Sequence, residues 1–283
     1  VPQAAEEAAM FAKINHMAMI SPIYPMLANF YEAYFGLKRS GKTSRPLNAV
    51  TVGDGYVGLN INPLRDGYVG GLDHFGLVVD DIDVVIERAR VKFPQANIVK
   101  RPSTRPFANY SGHDPDGNIF DLAQKDEGDK LVGVYAEQAA EGRSQDRYLN
   151  KFAIRTMNAE RCADFYQFVF ELKPSNKSVR PGAGSYHLTD GRVTLSILPW
   201  SVPIFENMSI KRPGPDHIGF KVENIEAFKQ HVEVTSGMNP YVAPMRLGGS
   251  KEADIRKAFL AAEAGGKFQM ADPGGVWIDV TDE

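Results

Sequence analysis

The chain repeats itself, and that repeat limits its fold more than any other feature of the sequence. The segment INHMAMISPIYPMLANFYEAYFGLK, beginning at Ile14, lies without a gap on LNKFAIRTMNAERCADFYQFVFELK, beginning at Leu149. A second pair joins LDHFGLVVDDIDVVIERA, from Leu72, to PDHIGFKVENIEAFKQHV, from Pro215. A duplication of this kind changes the reading of every later residue, because each position acquires a counterpart to be compared with it.

Each copy opens with a short alternating apolar run and continues with apolar residues at helical spacing: Leu27, Phe30, Tyr31, Tyr34 and Phe35 in the first, Phe165, Tyr166, Val169 and Phe170 in the later one. This pattern predicts a strand followed by an amphipathic helix. Paired short runs come next, AVTVGDGYVGLNI and SYHLTDGRVTLSIL, which predict hairpins with GDG and TDG at their turns. The other two units close on NYSGHDPDGNIFDLAQ and FQMADPGGVWIDVTD, where DPDG and DPGG supply Pro and Gly to tight turns. The organisation is therefore four units of strand, helix and three strands, an α+β fold of βαβββ modules beginning near Ile14, Leu72, Leu149 and Pro215. A charged, small-residue stretch separates the halves, giving expected boundaries of 1–124, a linker at 125–148, and 149–283. Residues 236–266 interrupt the fourth unit and carry an expected short helix from Glu252 to Ala264, a possible lid or packing arm.

Composition narrows the functional classes. Hydrophobic residues form 43% of the chain and charged residues 24%, which suits a globular protein rather than a disordered one. A formal net charge of -3 provides no positive field for a nucleic acid backbone or an anionic membrane, so neither is expected as a partner. No apolar run is long enough to span a bilayer, and the first residues are too acidic for a secretory signal. Cys162 is the only cysteine, which fits a reducing, cytoplasmic location and reads as a packed helix residue.

The INHMAM, LDHFGLVVDDID and HDPDGNIFDL segments resemble the vicinal oxygen chelate superfamily, which includes glyoxalase I, the extradiol ring-cleaving dioxygenases and antibiotic-resistance proteins. The resemblance covers nearly the whole chain. It implies that pairs of βαβββ units form cup-like, incompletely closed β-barrels, one cup per half, with a metal ion held in a cup.

On this resemblance His16, His74 and Asp121 occupy the ligand positions of the first cup. Two imidazoles and one carboxylate suit Fe(II) first, with Mn(II), Zn(II), Ni(II) or Co(II) as alternatives, and leave coordination positions open for substrate and O2. Asn60 takes the position where glyoxalase I enzymes generally carry a carboxylate, so it is expected to orient substrate rather than act as a base. In the second half the same positions hold Lys151, His217 and Asp279, with Ser196 matching Asn60. An ammonium repels a cation, so this second site is expected to have lost its metal, leaving His217 and Asp279 as relics of the duplication in an internal ion pair with Lys151.

Tyr110 is expected opposite Asp121, its hydroxyl towards substrate, while His113 is expected at a turn and His187 and His231 at the surface. Arg65 and Arg101 are candidates to bind an anionic group. These residues imply an extradiol-type dioxygenase acting on a catechol or another aromatic compound with vicinal oxygens. The alternatives are a glyoxalase-like isomerase, epimerase or lyase, and a non-catalytic protein that sequesters a small molecule. A homodimer is possible, as in many of the family.

Overall fold

A computed structural model of the chain describes residues 10–40, 49–102, 108–125, 145–175, 184–263 and 265–283. The expected linker at 125–148 falls largely outside the described residues. The first unit contains β1 (Ala12–Ser21), α1 (Tyr24–Phe35), β2 (Lys38–Arg39), β3 (Val50–Gly53) and β4 (Gly58–Pro63). The second contains β5 (Gly71–Val79), α2 (Ile82–Lys92), β6 (Val99–Lys100), β7 (Tyr110–His113) and β8 (Ile119–Gln124). Their strands form one sheet in the order β2-β3-β4-β1-β5-β8-β7-β6. The opening strands β1 and β5 run antiparallel at its centre, each flanked by a parallel partner, β4 and β8, so the two units are related by an approximate twofold.

The later half repeats the plan with β9 (Tyr148–Thr156), α3 (Ala159–Phe170), β10 (Lys173–Pro174), β11 (Tyr186–Thr189) and β12 (Thr194–Pro199). After α4 (Val202–Met208) come β13 (Gly214–Lys221), α5 (Ile225–Met238), α6 (Lys251–Glu263), β14 (Phe268–Ala271) and β15 (Trp277–Thr281). The second sheet has the order β10-β11-β12-β9-β13-β15-β14, and neither sheet closes into a barrel. One departure from four equal units lies at the end. The outermost strand of the fourth unit is reduced to a single bridge between Met245 and Ala271, and the inserted α6 follows it.

Local chemistry explains the element ends. Asp81 at the start of α2 accepts hydrogen bonds from the backbone N–H of Asp83 and Val84, and Asn158 and Asn224 cap α3 and α5 in the same way. Gly36 ends α1 in the left-handed conformation at φ 66°, which glycine adopts without steric cost.

One apolar core serves both sheets. Phe35 of α1 stacks on Phe220 of β13 at 3.7 Å, and Phe75 of β5 meets Phe152 of β9 at 5.2 Å. Reciprocal polar ties join the halves. The turn residue Asp54 accepts from the N–H of Leu149 and its counterpart Asp190 from the N–H of Ile14, at 2.8 and 2.7 Å. Likewise Tyr31 donates to Asp272 and its counterpart Tyr166 to Asp114. Cys162 is buried in α3, as expected, and burial pushes its thiol pKa up. Among the described residues no helix is long and apolar enough to cross a membrane.

Candidate metal centre

The face of the first sheet opposite the core is polar and buried, which is unusual enough to require explanation. Its first residue is placed by a bulge. In the β1–β5 ladder Ile14 pairs with Leu77 and His16 with Gly76, so Asn15 is the extra residue and His16 is turned to the face away from Ile14. A second bulge in the same ladder, at Asp73, precedes His74. In both cases the bulged side chain holds the next imidazole: His16 Nδ1 donates to Asn15 Oδ1 at 3.0 Å and His74 Nδ1 donates to Asp73 Oδ2 at 2.6 Å. The Nε2 atoms are thereby left to face the cup, the second-sphere arrangement by which proteins orient imidazole ligands.

Both Nε2 atoms point to Asp121 of β8, at 3.7 Å from Oδ2 for His16 and 3.3 Å for His74. The three candidate ligand atoms all lie within 4.8 Å of one another. Gly76 lies between His16 and Asp121 in the strand row, and a β-carbon there would fall 1.9 Å from His16 Cε1. The imidazole crosses the sheet over the glycine's bare backbone. Ser111 Oγ donates to Asp121 Oδ1 at 2.7 Å, which reserves Oδ2 for the cup. The donor set, the orientation of both rings and this glycine cradle together fit one divalent ion.

Electrostatics match the geometry. Burial opposes ionisation of Asp121, but the two imidazoles beside it outweigh burial and hold the carboxyl well below its ordinary range. Burial lowers the pKa of His16. Burial also acts against protonation of His74, yet Asp121 and Asp73 on either side outweigh it and raise the pKa to about 9.

Arg101, one of two arginines considered from the sequence, donates from Nη1 to the same Oδ2 of Asp121. Oδ2 is also the oxygen that faces both imidazoles, so an ion held there would compete with the guanidinium for it. Arg65 is exposed and lies 6.0 Å from the Tyr68 ring centroid. Asn60 is buried on the cup face, two strands from His74 across Ala18, and its Oδ1 accepts from Thr51 at 3.0 Å.

Tyr110 is not in the cup. The β7–β8 register pairs Tyr110 with Leu122 and places Ser111 opposite Asp121, so the expected position is one residue out and Tyr110 packs against the core instead. His113 lies at the turn and bonds the Asp114 carbonyl. His231 is partly buried, hydrogen-bonded to the carbonyl of Ala33, and so ties α5 to α1 rather than lying free on the surface. In the second sheet Lys151 Nζ donates to Asp279 Oδ2 at 2.7 Å, as expected, but His217 does not join that pair and bonds Asp216 instead.

Residues 13–122 match the model of the Glyoxalase/Bleomycin resistance protein/Dioxygenase superfamily. That segment is a domain of this superfamily. No curated protein sequence matches the chain. Solved structures share the fold over 96% of the chain. A Mn(II)-bound glyoxalase from Novosphingobium aromaticivorans is 13% identical, with a TM-score of 0.59 over 96% of this chain and 82% of that one. The 2,3-dioxygenase LapB from Pseudomonas sp. KL28 is 14% identical, with a TM-score of 0.60 over 96% and 93%. A xylose isomerase-like TIM barrel/4-hydroxyphenylpyruvate dioxygenase fusion protein is also 14% identical, with a TM-score of 0.60 over 96% of this chain, which spans only 49% of that larger protein.

Proposed function

We propose that this superfamily member is a metal-dependent enzyme, an extradiol-type ring-cleaving dioxygenase acting on a catechol or a similar aromatic compound with vicinal oxygens, with O2 as co-substrate. The observation that carries the reading is the convergence of His16, His74 and Asp121 on one point of a polar cup. A bound Fe(II) would supply Lewis acidity to lower the pKa of two adjacent substrate oxygens and open positions for both substrates. The protein's part is positional. Asn15 and Asp73 fix the imidazole tautomers, and Ser111 fixes the carboxylate. Arg101, if displaced from Asp121 by the ion, would take an ionised oxygen or carboxylate of the substrate. Asn60, across Ala18 from His74, would help orient substrate.

The sheet face favours an open three-ligand site. Asn60 has its oxygen engaged by Thr51, and an amide is no base for moving a carbon-bound proton. An isomerase or lyase that stabilises an enediolate is the outcome to test against. Anaerobically purified protein should contain about one Fe per chain by elemental analysis, lost in both His16→Ala and Asp121→Ala, and should consume O2 with catechols. Activity with Zn(II), Ni(II) or Co(II) in the absence of O2 would select the isomerase or lyase class. Catechol binding that survives complete removal of metal, with no O2 consumption when metal is restored, would select sequestration without catalysis.

A further inference from the structure

The cup of the second sheet is lined by a different set of buried polar groups, and their arrangement is not that of a merely decayed metal site. Along the inner face of β9 stand Lys151, Ala153 and Arg155. Beside Ala153 lies His217, with Trp277 next to it, and on the other side Ser196 followed by His187. Arg155 is fully buried, as is His217. Asp216, the bulge residue of β13, gathers this cluster: its Oδ1 accepts from Arg155 Nε at 2.9 Å and from Arg256 Nη2 at 3.2 Å, and its Oδ2 accepts from His217 Nδ1 at 2.7 Å.

Among the described residues the first cup has no counterpart to α6. That helix covers the second cup, with Arg256 lying 4.4 Å from the Trp277 ring centroid and Phe259 5.1 Å from the Arg155 guanidinium. Arg256 keeps 19% of its side chain exposed, so it links the enclosed face with solvent.

Four nitrogen atoms in this cluster are buried without a hydrogen-bond partner among the described residues: Arg155 Nη2, Arg256 Nε, His187 Nε2 and His217 Nε2. Buried polar atoms are ordinarily satisfied, and an orphan on a charged group is the most costly kind. Such a group of orphans marks where a ligand belongs. The charge balance states its sign. Lys151, Arg155 and Arg256 face Asp216 and Asp279, one positive charge in excess. Burial and the neighbouring Lys151 keep His187 neutral, and burial does the same for His217. A cation is disfavoured here by the three basic side chains, whereas an anion gains two unused guanidinium donors. His217 gives its Nδ1 proton to Asp216, so its Nε2 is an acceptor and asks for a donor on the same ligand.

We propose that the second cup is a binding site for a small hydroxycarboxylate, the carboxylate held by Arg155 Nη2 and Arg256 Nε, the hydroxyl donating to His217 Nε2, with α6 as its cover. This site is separate from the metal centre and independent of the catalytic reading. The test is calorimetric titration of the full chain with lactate and with propionate, against chloride at matched ionic strength, using wild type, Arg256→Gln and His16→Ala. Arg256 sits on a surface helix, and circular dichroism would confirm that the variant folds. The expected result is saturable 1:1 binding of lactate, tighter than propionate, weakened about tenfold or more in Arg256→Gln and unchanged in His16→Ala. No saturable binding, equal affinity for the two acids, or equal affinity in Arg256→Gln would overturn the proposal. So would loss of binding in His16→Ala, which would place the anion in the first cup.

Discussion

A β-carbon at position 76 would collide with three atoms of the His16 ring, the nearest at 1.9 Å, and the ring cannot retreat without leaving Asp121. Gly76→Ala should therefore lower metal affinity by about tenfold or more while leaving His74 and Asp121 in place, which metal titration with a competing chelator would read. Unchanged affinity would mean that His16 is not a ligand. The counterpart Gly219 faces the same constraint, a β-carbon there falling 2.6 Å from Lys151 Cβ, so the close approach outlasted the change from imidazole to ammonium. A second residue-level prediction concerns pH. His187 is depressed from 6.5 to about 4, by burial first and by Lys151 and His217 beyond that, and His217 is lowered in the same direction. Between those values the unfolded chain binds more protons than the folded one, so stability rises with pH there. The contribution is complete above about 6.5 and is lost as pH falls towards 4. Urea denaturation across this window should give a shallower pH slope for His187→Asn than for wild type, and identical slopes would refute the assignment.

At the scale of elements, turns and bulges place the chemistry. Asp190 accepts from Arg192 and Val193 within its own hairpin turn and from Ile14 of the other sheet, at 2.8, 2.7 and 2.7 Å. Asp190→Ala would orphan backbone donors in two elements at once and should cost about 2–4 kcal/mol in chemical denaturation, more than the same change at an exposed turn. The repeats and the GDG and TDG turns were legible in the sequence, because tight turns demand particular residues and strands show their alternation. So was the convergence of His16, His74 and Asp121, as equivalent positions in repeated units that resemble a known family. Register was not. The β7–β8 hairpin encloses five residues between His113 and Ile119, an odd number that sets Ser111, not Tyr110, opposite Asp121. A one-residue slip exchanges the two faces of a strand. Nor were the bulges visible as such, although each leaves a short trace, a polar residue directly before the site residue: Asn15–His16, Asp73–His74, Asn150–Lys151 and Asp216–His217. Arg101 and α6 join their sites through contacts distant in sequence, which periodicity does not report.

For the molecule as a whole, the two sheets look like separable copies but their apolar residues form one continuous core. Phe35, on the first helix, spends its aromatic face on Phe220 of the second sheet, while Phe120 of the first sheet packs on Phe165 and Phe170 of the later half. Arg88 and Lys92 of α2 reach Glu171 and Asp164, at 2.6 and 2.7 Å. Those exposed ion pairs add little stability, but the shared aromatic core cannot be divided without opening large apolar faces on both sides. Neither half can then pass its own unfolding transition while the other stays intact. Differential scanning calorimetry should give a single cooperative endotherm whose calorimetric and van't Hoff enthalpies agree, and metal binding in the first cup should shift that whole transition upward rather than part of it. Two resolved transitions, with only the first moved by metal, would show instead that each sheet carries a core sufficient for itself.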